Sequence, residues 1–440
     1  MTKGSVLGGI LAFSVPSLIG NLLHQVYSLT DSLVVGRILG VEALAAVGCT
    51  MPVILLLASL MIGTNVGVGV LLSQAFGAQD MLRMRRGFFN SLYVGLGISA
   101  VLAVIGTPLA KPILILMGTP EEPLANALAY LRITFLTSLC PMLYYLMSCA
   151  FRGMGDSRTD LYCLIVSVAM NVVLDIVFVA VFHWGVAGTA WATALAQLAS
   201  GVFAAVMLFK KYPVMRPQRE DLLPDTGLIA HIGRLSVPIA VQSAFNNIGN
   251  LAAQAAVNAF GTVAMAAYTA AGRVGAFALM PLETLGNTLS VYTGQNYGAK
   301  EYARIREGKR VTLRLQVILS TALGLLLAVL GRPISRLFLT EVTDELLRVS
   351  YQYLLITAVP GILAGVMFTY QQLLRGMGDT ASSMRGGTLQ LAVKVAVIAA
   401  GAMLFRSLTA VWFAWPVSFA AATLYLYVQL KKKTILSISG

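Results

Sequence analysis

Two acidic residues with polar neighbours at helical spacing could bind a monovalent cation. His24, Tyr27 and Asp31 are three and four residues apart, and Asn171 and Asp175 are four apart. In a helix, each set therefore shares one face. Carboxylate and amide oxygens suit a hard cation such as Na⁺, and a carboxyl group withdrawn from water can instead hold a proton. The pattern predicts binding of Na⁺ or H⁺ and leaves the choice between them open.

Each of these residues also has a structural interpretation. His24 can serve equally as a hydrogen-bond partner between helices. Asp31 lies six residues before Arg37 and could be a solvated residue near a helix end, although we favour a position facing a cavity. Asp175 stands in the middle of an apolar run, where an ionisable group costs ~3 kcal/mol or more, so a functional role is favoured there.

Three further ionisable residues interrupt apolar runs later in the chain. Glu283 follows Pro281, which frees backbone groups, so a structural hydrogen bond explains it as well as a substrate contact does. Lys394 and Arg273 can neutralise buried acids or reach towards the headgroups, and we favour such structural roles for both.

Long apolar runs carry these residues and must position them. The chain is 58% apolar and only 11% charged, against roughly 25% charged residues in soluble domains. Runs long enough to cross ~30 Å of hydrocarbon lie near residues 8–33, 45–73, 88–110, 124–149, 160–182, 186–209, 233–258, 263–293, 311–331, 346–373, 386–405 and 409–430. The sequence therefore predicts an all-α integral membrane protein with twelve transmembrane helices.

The net charge of +13 reports membrane topology. A nucleic-acid-binding protein concentrates its basic residues on one solvated face, whereas here they fall between the apolar runs, so no nucleic-acid partner is expected. With a cytoplasmic N-terminus, the inside loops hold 22 of the 31 basic residues and the outside ends hold 7. This bias predicts a multi-pass protein of the plasma (inner) membrane with both termini in the cytoplasm.

Enzymes and ATP-driven pumps fit the sequence poorly. The four cysteines form no CxxC pair and have no histidine at metal-ligand spacing, and the three histidines lie on separate segments. The nearest approach to a P-loop, residues 294–300, has the wrong spacing and lacks the Ser or Thr after its lysine. An ion channel is disfavoured because no loop resembles a selectivity filter. We therefore expect a secondary transporter driven by an ion gradient, with no cofactor.

The chain contains an internal duplication. Residues 14–16 match residues 236–238, and the sequence RGMGD occurs at 152–156 and again at 375–379, so the offset stays between 221 and 223. Six crossings per copy give the copies the same orientation, an arrangement found in secondary transporters. The glycines of RGMGD permit tight turns, and its arginine is expected to anchor at the headgroups.

The duplication divides the chain into two parallel six-helix lobes. The N-terminal lobe is predicted at 1–209, a cytoplasmic linker at 210–232 and the C-terminal lobe at 233–440. The linker is polar and contains proline, so it can join two lobes that move against each other.

These features together resemble the multidrug and toxic compound extrusion (MATE) family of secondary antiporters. The resemblance covers nearly the whole chain and rests on short motifs at residues 27–37, 73–78, 152–156, 171–175, 185–193 and 294–299. It implies two six-helix lobes around a central cavity, and efflux of organic cations and other amphiphilic drugs in exchange for Na⁺ or H⁺. In the branch with acids in the N-terminal lobe, the coupling cation is bound at positions that match Asp31, Asn171, Asp175 and Thr193.

The chain departs from that family pattern at two places. His24 replaces a common glutamine, although Gln25 is retained, and residues 250–260 lack the acid of another branch. Lys394 occupies the repeat position of Asn171, so ion coupling is expected in the N-terminal lobe only. The residues predicted to contact substrate are His24, Gln25, Tyr27, Gln242, Asn246, Asn247, Arg273, Glu283 and Lys394. The expected partners are small organic cations and the lipid bilayer, with the protein as a monomer; a flippase for lipid-linked sugars is the alternative.

Overall fold

The computed structural model describes residues 1–336, 343–358 and 361–433, without the side chains of residues 28–35 and 358. Within these ranges the chain forms helices and no strand. Ten helices are long and apolar enough to cross a membrane, and two bent helix pairs raise the number to twelve. The predicted all-helical fold and its twelve apolar segments are confirmed.

The first half of the chain forms eight helices. Helix α2 packs against α3, α5 and α6, and α8 packs against α5, α6 and α7, so apolar faces are buried between neighbours. Short π-helical stretches follow α1, α3 and α7 directly. The helices are α1 Val6–Val34, α2 Gly40–Gly77, α3 Met81–Val101, α4 Thr107–Leu116, α5 Glu121–Leu136, α6 Leu139–Gly153, α7 Ser157–Asp175 and α8 Gly185–Lys211.

The second half repeats this pattern. Helix α10 packs against α11, α12 and α13, and α16 packs against α13 and α14. The helices are α9 Thr226–Asn258, α10 Thr262–Gly298, α11 Tyr302–Arg336, α12 Asp344–Ala358, α13 Gly361–Gly376, α14 Thr380–Met403, α15 Leu408–Trp412 and α16 Ala414–Lys431.

A proline explains the break in the first bent span. Helices α5 and α6 together fill one predicted apolar run but meet at 48°. Pro141 lies on the first turn of α6 and has no N–H to donate to the carbonyl of Thr137, four residues earlier. Thr137 instead ends α5, and its carbonyl accepts a hydrogen bond from the Cys140 N–H at 2.9 Å. The second bent pair, α12 and α13, meets at 45°.

The chain forms two compact units whose boundaries differ from the lobes drawn on the sequence. One unit is Val15–Ala240, and the other combines Met1–Ser14 with Val241–Gly440. The initial segment is held in its unit by the hydroxyl of Ser14, which donates to Thr288 Oγ1 at 2.9 Å. The boundaries between the two units therefore fall within α1 and α9, close to the repeated SVP sequence in each helix.

The linker between the halves is fastened to α3 within the first unit. Asp221 is fully buried and forms an ion pair with Arg85, which also donates to Gln218 Oε1 at 2.7 Å. Asn90 accepts a hydrogen bond from the backbone N–H of Asp225 at 2.7 Å. These contacts join the linker to one unit by specific side-chain interactions.

The repeated RGMGD sequences fasten helices at equivalent positions in both units. Asp156 caps α7 and binds Lys211 Nζ at 2.7 Å, while Asp379 caps α14 and binds Lys433 Nζ at 2.6 Å. Each aspartate thus joins the start of one helix to the end of the next membrane-crossing segment.

The glycines and arginines of these sequences have separate roles. Gly155 and Gly378 have φ values of +84° and +86°, a conformation that favours glycine and makes the tight turn expected there. Arg375 is buried, and its guanidinium donates to Ser383 Oγ at 2.9 Å and to Gln242 Oε1 at 2.7 Å. The expectation that this arginine anchors at the headgroups is therefore wrong, because two polar partners inside the unit bind it.

Candidate cation and substrate site

Three of the four predicted cation-binding residues lie close together in the Val15–Ala240 unit. Asn171 and Asp175 are one turn apart on α7 and both are about 1% exposed. Asn171 Nδ2 donates to Thr193 Oγ1 at 3.4 Å, which joins α7 to α8. Asp31 lies on α1, but its side chain is outside the described residues.

Tyr27 brings α1 to the same place. Its hydroxyl lies 3.4 Å from Thr193 Oγ1, so the threonine hydroxyl contacts groups from both α1 and α7. Asp31 follows Tyr27 by four residues along α1. The oxygens of Tyr27, Asn171, Thr193 and the buried Asp175 are the hard ligands that suit Na⁺, while Asp175 alone could carry H⁺.

The helix changes its winding immediately after Asp175. Helix α7 ends at that residue, and Ile176–Val181 continues as a π-helical stretch. Such stretches are rare and are often found at functional sites. Nothing in the residue types of this apolar segment indicated the change, so the sequence could not have predicted it.

The remaining predicted substrate contacts of the first unit, His24 and Gln25, lie on α1 near Tyr27. The rings of His24 and Tyr27 lie 5.8 Å apart, and the side chains of His24 and Gln25 are exposed. Exposed polar groups next to an aromatic ring can bind the polar part of an amphiphile. Their contact with substrate stays a prediction.

The predicted residues of the second unit have three kinds of environment. Asn246, Arg273 and Glu283 are exposed, and Asn247 is partly exposed. Gln242 is buried and accepts the hydrogen bond from Arg375, so in this structure its side chain has a partner inside the unit.

Lys394 is also buried, and it binds two residues that the sequence did not single out. Its Nζ donates to Asn250 Oδ1 at 2.8 Å and lies 4.6 Å from the ring centre of Trp415. Asn250 follows Asn246 by four residues, and this carboxamide spacing along α9 was the available signal for it.

A family model supports the duplication and the sequence resemblance. The MatE model matches residues 16–177 and again residues 238–400. The chain is 32% identical over 437 residues to the "Probable multidrug resistance protein YoeA" of Bacillus subtilis (strain 168), covering 97% of this chain and 94% of that protein. It is 22% identical over 436 residues to the "Multidrug export protein MepA" of Staphylococcus aureus (strain NCTC 8325 / PS 47), covering 98% and 96% of the two chains.

Solved structures show the same fold. A MOP superfamily transporter from Pyrococcus furiosus, described as having a binding pocket of reversed polarity, matches with a TM-score of 0.91 and 20% identity over 100% of this chain and 98% of its own. The outward-facing conformation of a multidrug resistance MATE family transporter matches with a TM-score of 0.90 and 21% identity over 99% and 98%. MATE transporters have twelve helices in two lobes.

Proposed function

Since this chain belongs to the MatE family of multidrug efflux transporters, we propose that it is a secondary antiporter that exports organic cations and amphiphilic drugs in exchange for H⁺ or Na⁺. The observation that carries the proposal is the buried carboxyl group of Asp175, one helical turn from Asn171 and among membrane-spanning helices. An ionised carboxylate at that depth costs ~3 kcal/mol or more, and a bound cation or proton would reduce this cost. The site therefore has a physical reason to bind the coupling ion.

The coupling ion would be bound by Asp31, Asn171, Asp175 and Thr193. When the protein faces outward, the ion binds at the two carboxylates and lowers the negative charge of the site by one, so a cationic drug is held less strongly and leaves. The lobes then rock to face inward and the ion dissociates, so the restored carboxylates favour drug binding again. Drug and ion thus compete for the same carboxylates, and this competition couples the transport of one to the transport of the other.

The relatives bear on the alternative and on the reaction class. They are named for multidrug resistance and export, which identifies this multi-pass membrane protein as a transporter rather than an enzyme. A flippase for lipid-linked sugars is not favoured. Membership of the branch with N-terminal aspartates, cytoplasmic termini and a monomeric state remain parts of the proposal.

The test removes the charge of Asp175 without changing its shape. Asp175→Asn should abolish ethidium efflux from proteoliposomes, because a neutral amide cannot be switched between charge states by Na⁺ or H⁺. Gradients of Na⁺ and H⁺ imposed separately on the unmodified protein identify the coupling ion. Asp80→Asn is the matched control, since Asp80 is exposed and an asparagine preserves its cap on α3.

Two outcomes would contradict the proposal. Normal efflux by an inserted Asp175→Asn variant would exclude the carboxyl group as the coupling site. Efflux from the unmodified protein that responds to neither gradient would exclude antiport.

A further inference from the structure

The ammonium group of Lys394 is buried without a counter-ion. None of the ion pairs among the described residues includes it. One hydrogen bond to Asn250 and the face of Trp415 are its recorded contacts, and these leave N–H groups of the ammonium available. A charged lysine in the interior of a membrane-spanning helix such as α14 is energetically costly. Such residues usually bind a partner or a ligand.

The duplication shows what this cluster corresponds to. The matching aspartates Asp156 and Asp379 are 223 residues apart, and the lysines that form ion pairs with them are 222 residues apart. With these offsets, Lys394 on α14 is equivalent to Asn171 on α7, and Trp415 on α16 is equivalent to Thr193 on α8. Lys394 and Trp415 therefore lie in the second copy of the proposed cation site, and Asn250 joins them there.

The second copy has the opposite charge. At the same offsets Ile398 replaces Asp175, and Ala253 replaces Asp31; Ile398 and Ala253 are 4% and 0% exposed. Both carboxyl groups of the first site thus become buried apolar groups, while an amide becomes an ammonium. A site built in this way repels cations and attracts anions.

We propose that Lys394, Asn250 and Trp415 form a subsite for the carboxylate group of an amphiphilic aromatic substrate. The inference rests on the proposed transport function, and it extends the substrate class from cations to molecules that also carry a negative group.

The geometry of the three side chains fits such a group. Because the carbonyl oxygen of Asn250 accepts from Lys394, its amide NH₂ remains able to donate to an oxygen that the ammonium also binds. Asn250 is exposed and Trp415 is partly exposed, so a ligand can reach both. The flat face of Trp415 offers apolar contact to an aromatic ring.

The test uses two fluorescent ligands that differ in one charge. Rhodamine B carries a cationic ring system and a free carboxylate, whereas its ethyl ester lacks the carboxylate. Their affinities for the full chain are measured by fluorescence anisotropy in nanodiscs of uncharged phosphatidylcholine, so that no anionic lipid competes. Lys394→Gln should weaken rhodamine B binding by about tenfold or more, the value of one charge-assisted hydrogen bond, and leave binding of the ester unchanged.

Three further variants make the result specific. Lys432→Gln removes an exposed lysine beyond the end of α16 and should change neither affinity. Ile398→Asp places a carboxylate one helical turn from Lys394, where it supplies an internal counter-ion and should weaken rhodamine B binding alone. Lys394→Arg keeps the charge and should retain the preference for the acid.

Three results would overturn the subsite. The first is equal affinity of the unmodified protein for the acid and the ester, and the second is an affinity for rhodamine B that Lys394→Gln leaves unchanged. The third is an equal loss of affinity for both ligands in Lys394→Gln, which would show that the lysine has a structural role. Because these are binding measurements, they are independent of the efflux assay. Loss of efflux in Asp175→Asn with no effect of Lys394→Gln on rhodamine B binding removes the subsite alone, and the reverse pattern removes Asp175 as the coupling site while the subsite stands.

Discussion

Single aspartates serve opposite purposes in this protein according to their depth. Asp175 is buried among membrane-spanning helices, where a charge is costly and can respond to an ion. Asp156 lies in the turn before α7, where Lys211 stabilises its charge at 2.7 Å. The same side chain is a candidate switch in one place and a structural fastener in the other.

The contribution of Asp156 to the stability of the folded protein depends on pH. Burial alone would raise the pKa of Asp156, but hydrogen bonds from Lys211, Thr159 and Tyr212 lower it below the ordinary value of 3.8. A group whose pKa is lowered on folding stabilises the folded state above its unfolded pKa, and this contribution is lost as pH falls through the folded pKa. Asp156 should therefore add stability at neutral pH and lose that contribution progressively below 3.8.

Replacing Asp156 by asparagine measures this contribution. The variant keeps the cap oxygen of α7 and loses the charge, so it should be less stable at neutral pH by about 0.5–1 kcal/mol, because Lys211 is partly exposed. The difference in melting temperature from the parent should shrink once pH falls below 3.8. Asp80→Asn, at a cap with no recorded ion pair, should show no such pH-dependent difference. A constant difference across pH would contradict the assignment.

At the scale of helices, glycines permit close contact within the first unit. Gly63 and Gly67 lie one turn apart on α2, opposite Ala240 and Ser236 on α9. A Cβ added at Gly63 would lie 2.6 Å from the backbone nitrogen of Ala240, and one at Gly67 would lie 2.8 Å from Cα of Ser236. These small residues allow two membrane helices to approach backbone to backbone.

A single methyl group should therefore disturb this contact. Gly67→Ala should cost about 1–3 kcal/mol through overpacking and lower the melting temperature by several degrees. Gly69→Ala is the matched control on the same helix, because an added Cβ there meets nothing within 4 Å. Thermal unfolding of both purified variants decides the point, and equal behaviour would show that α2 and α9 do not need this close approach.

The elements differ in how well the sequence predicted them. Apolar run length placed the spans, since hydrocarbon thickness determines the length of a crossing helix. Pro141 marked the bend before α6, yet the run around it read as one continuous helix. The grouping of Met1–Ser14 with the second half could not be read from the repeat, because it depends on tertiary contacts such as Ser14 with Thr288.

The candidate sites differ in the same way. Helical spacing was enough to pair Asn171 with Asp175, whereas Thr193 entered only through the family resemblance. Asn250 was missed although its four-residue spacing from Asn246 was a signal, and Trp415 was missed because an aromatic ring in an apolar helix carries none until Lys394 is seen to contact it.

For the whole molecule, the two copies of the duplication share their architecture but differ in the ionisable residues of their interiors. The pairs Asp156 with Lys211 and Asp379 with Lys433 keep equivalent geometry in both units. Between the membrane surfaces, by contrast, Asp175 is matched by Ile398, and Asn171 by Lys394. Contacts in the turns maintain the shared fold, so residues in the interior can differ in charge between the two halves.

Contacts near both termini support a prediction about membrane topology. The N-terminal ammonium donates to Gln295 Oε1 at 3.0 Å, and Arg304 donates to the carbonyl of Met1, so the chain start lies beside the basic turn between α10 and α11. Lys433, near the chain end, binds Asp379 in the turn before α14. Since basic turns are retained in the cytoplasm, both termini should be cytoplasmic.

Reporter fusions in a bacterial host can measure this directly. Green fluorescent protein at either terminus should fluoresce, and alkaline phosphatase at either terminus should be inactive, because each reporter works on one side of the membrane only. Phosphatase inserted between α4 and α5, near Gly118, should be active, since an odd number of crossings separates that turn from the N-terminus. Active phosphatase at a terminus would reverse the orientation, and with it the side from which Asp175 takes up its ion.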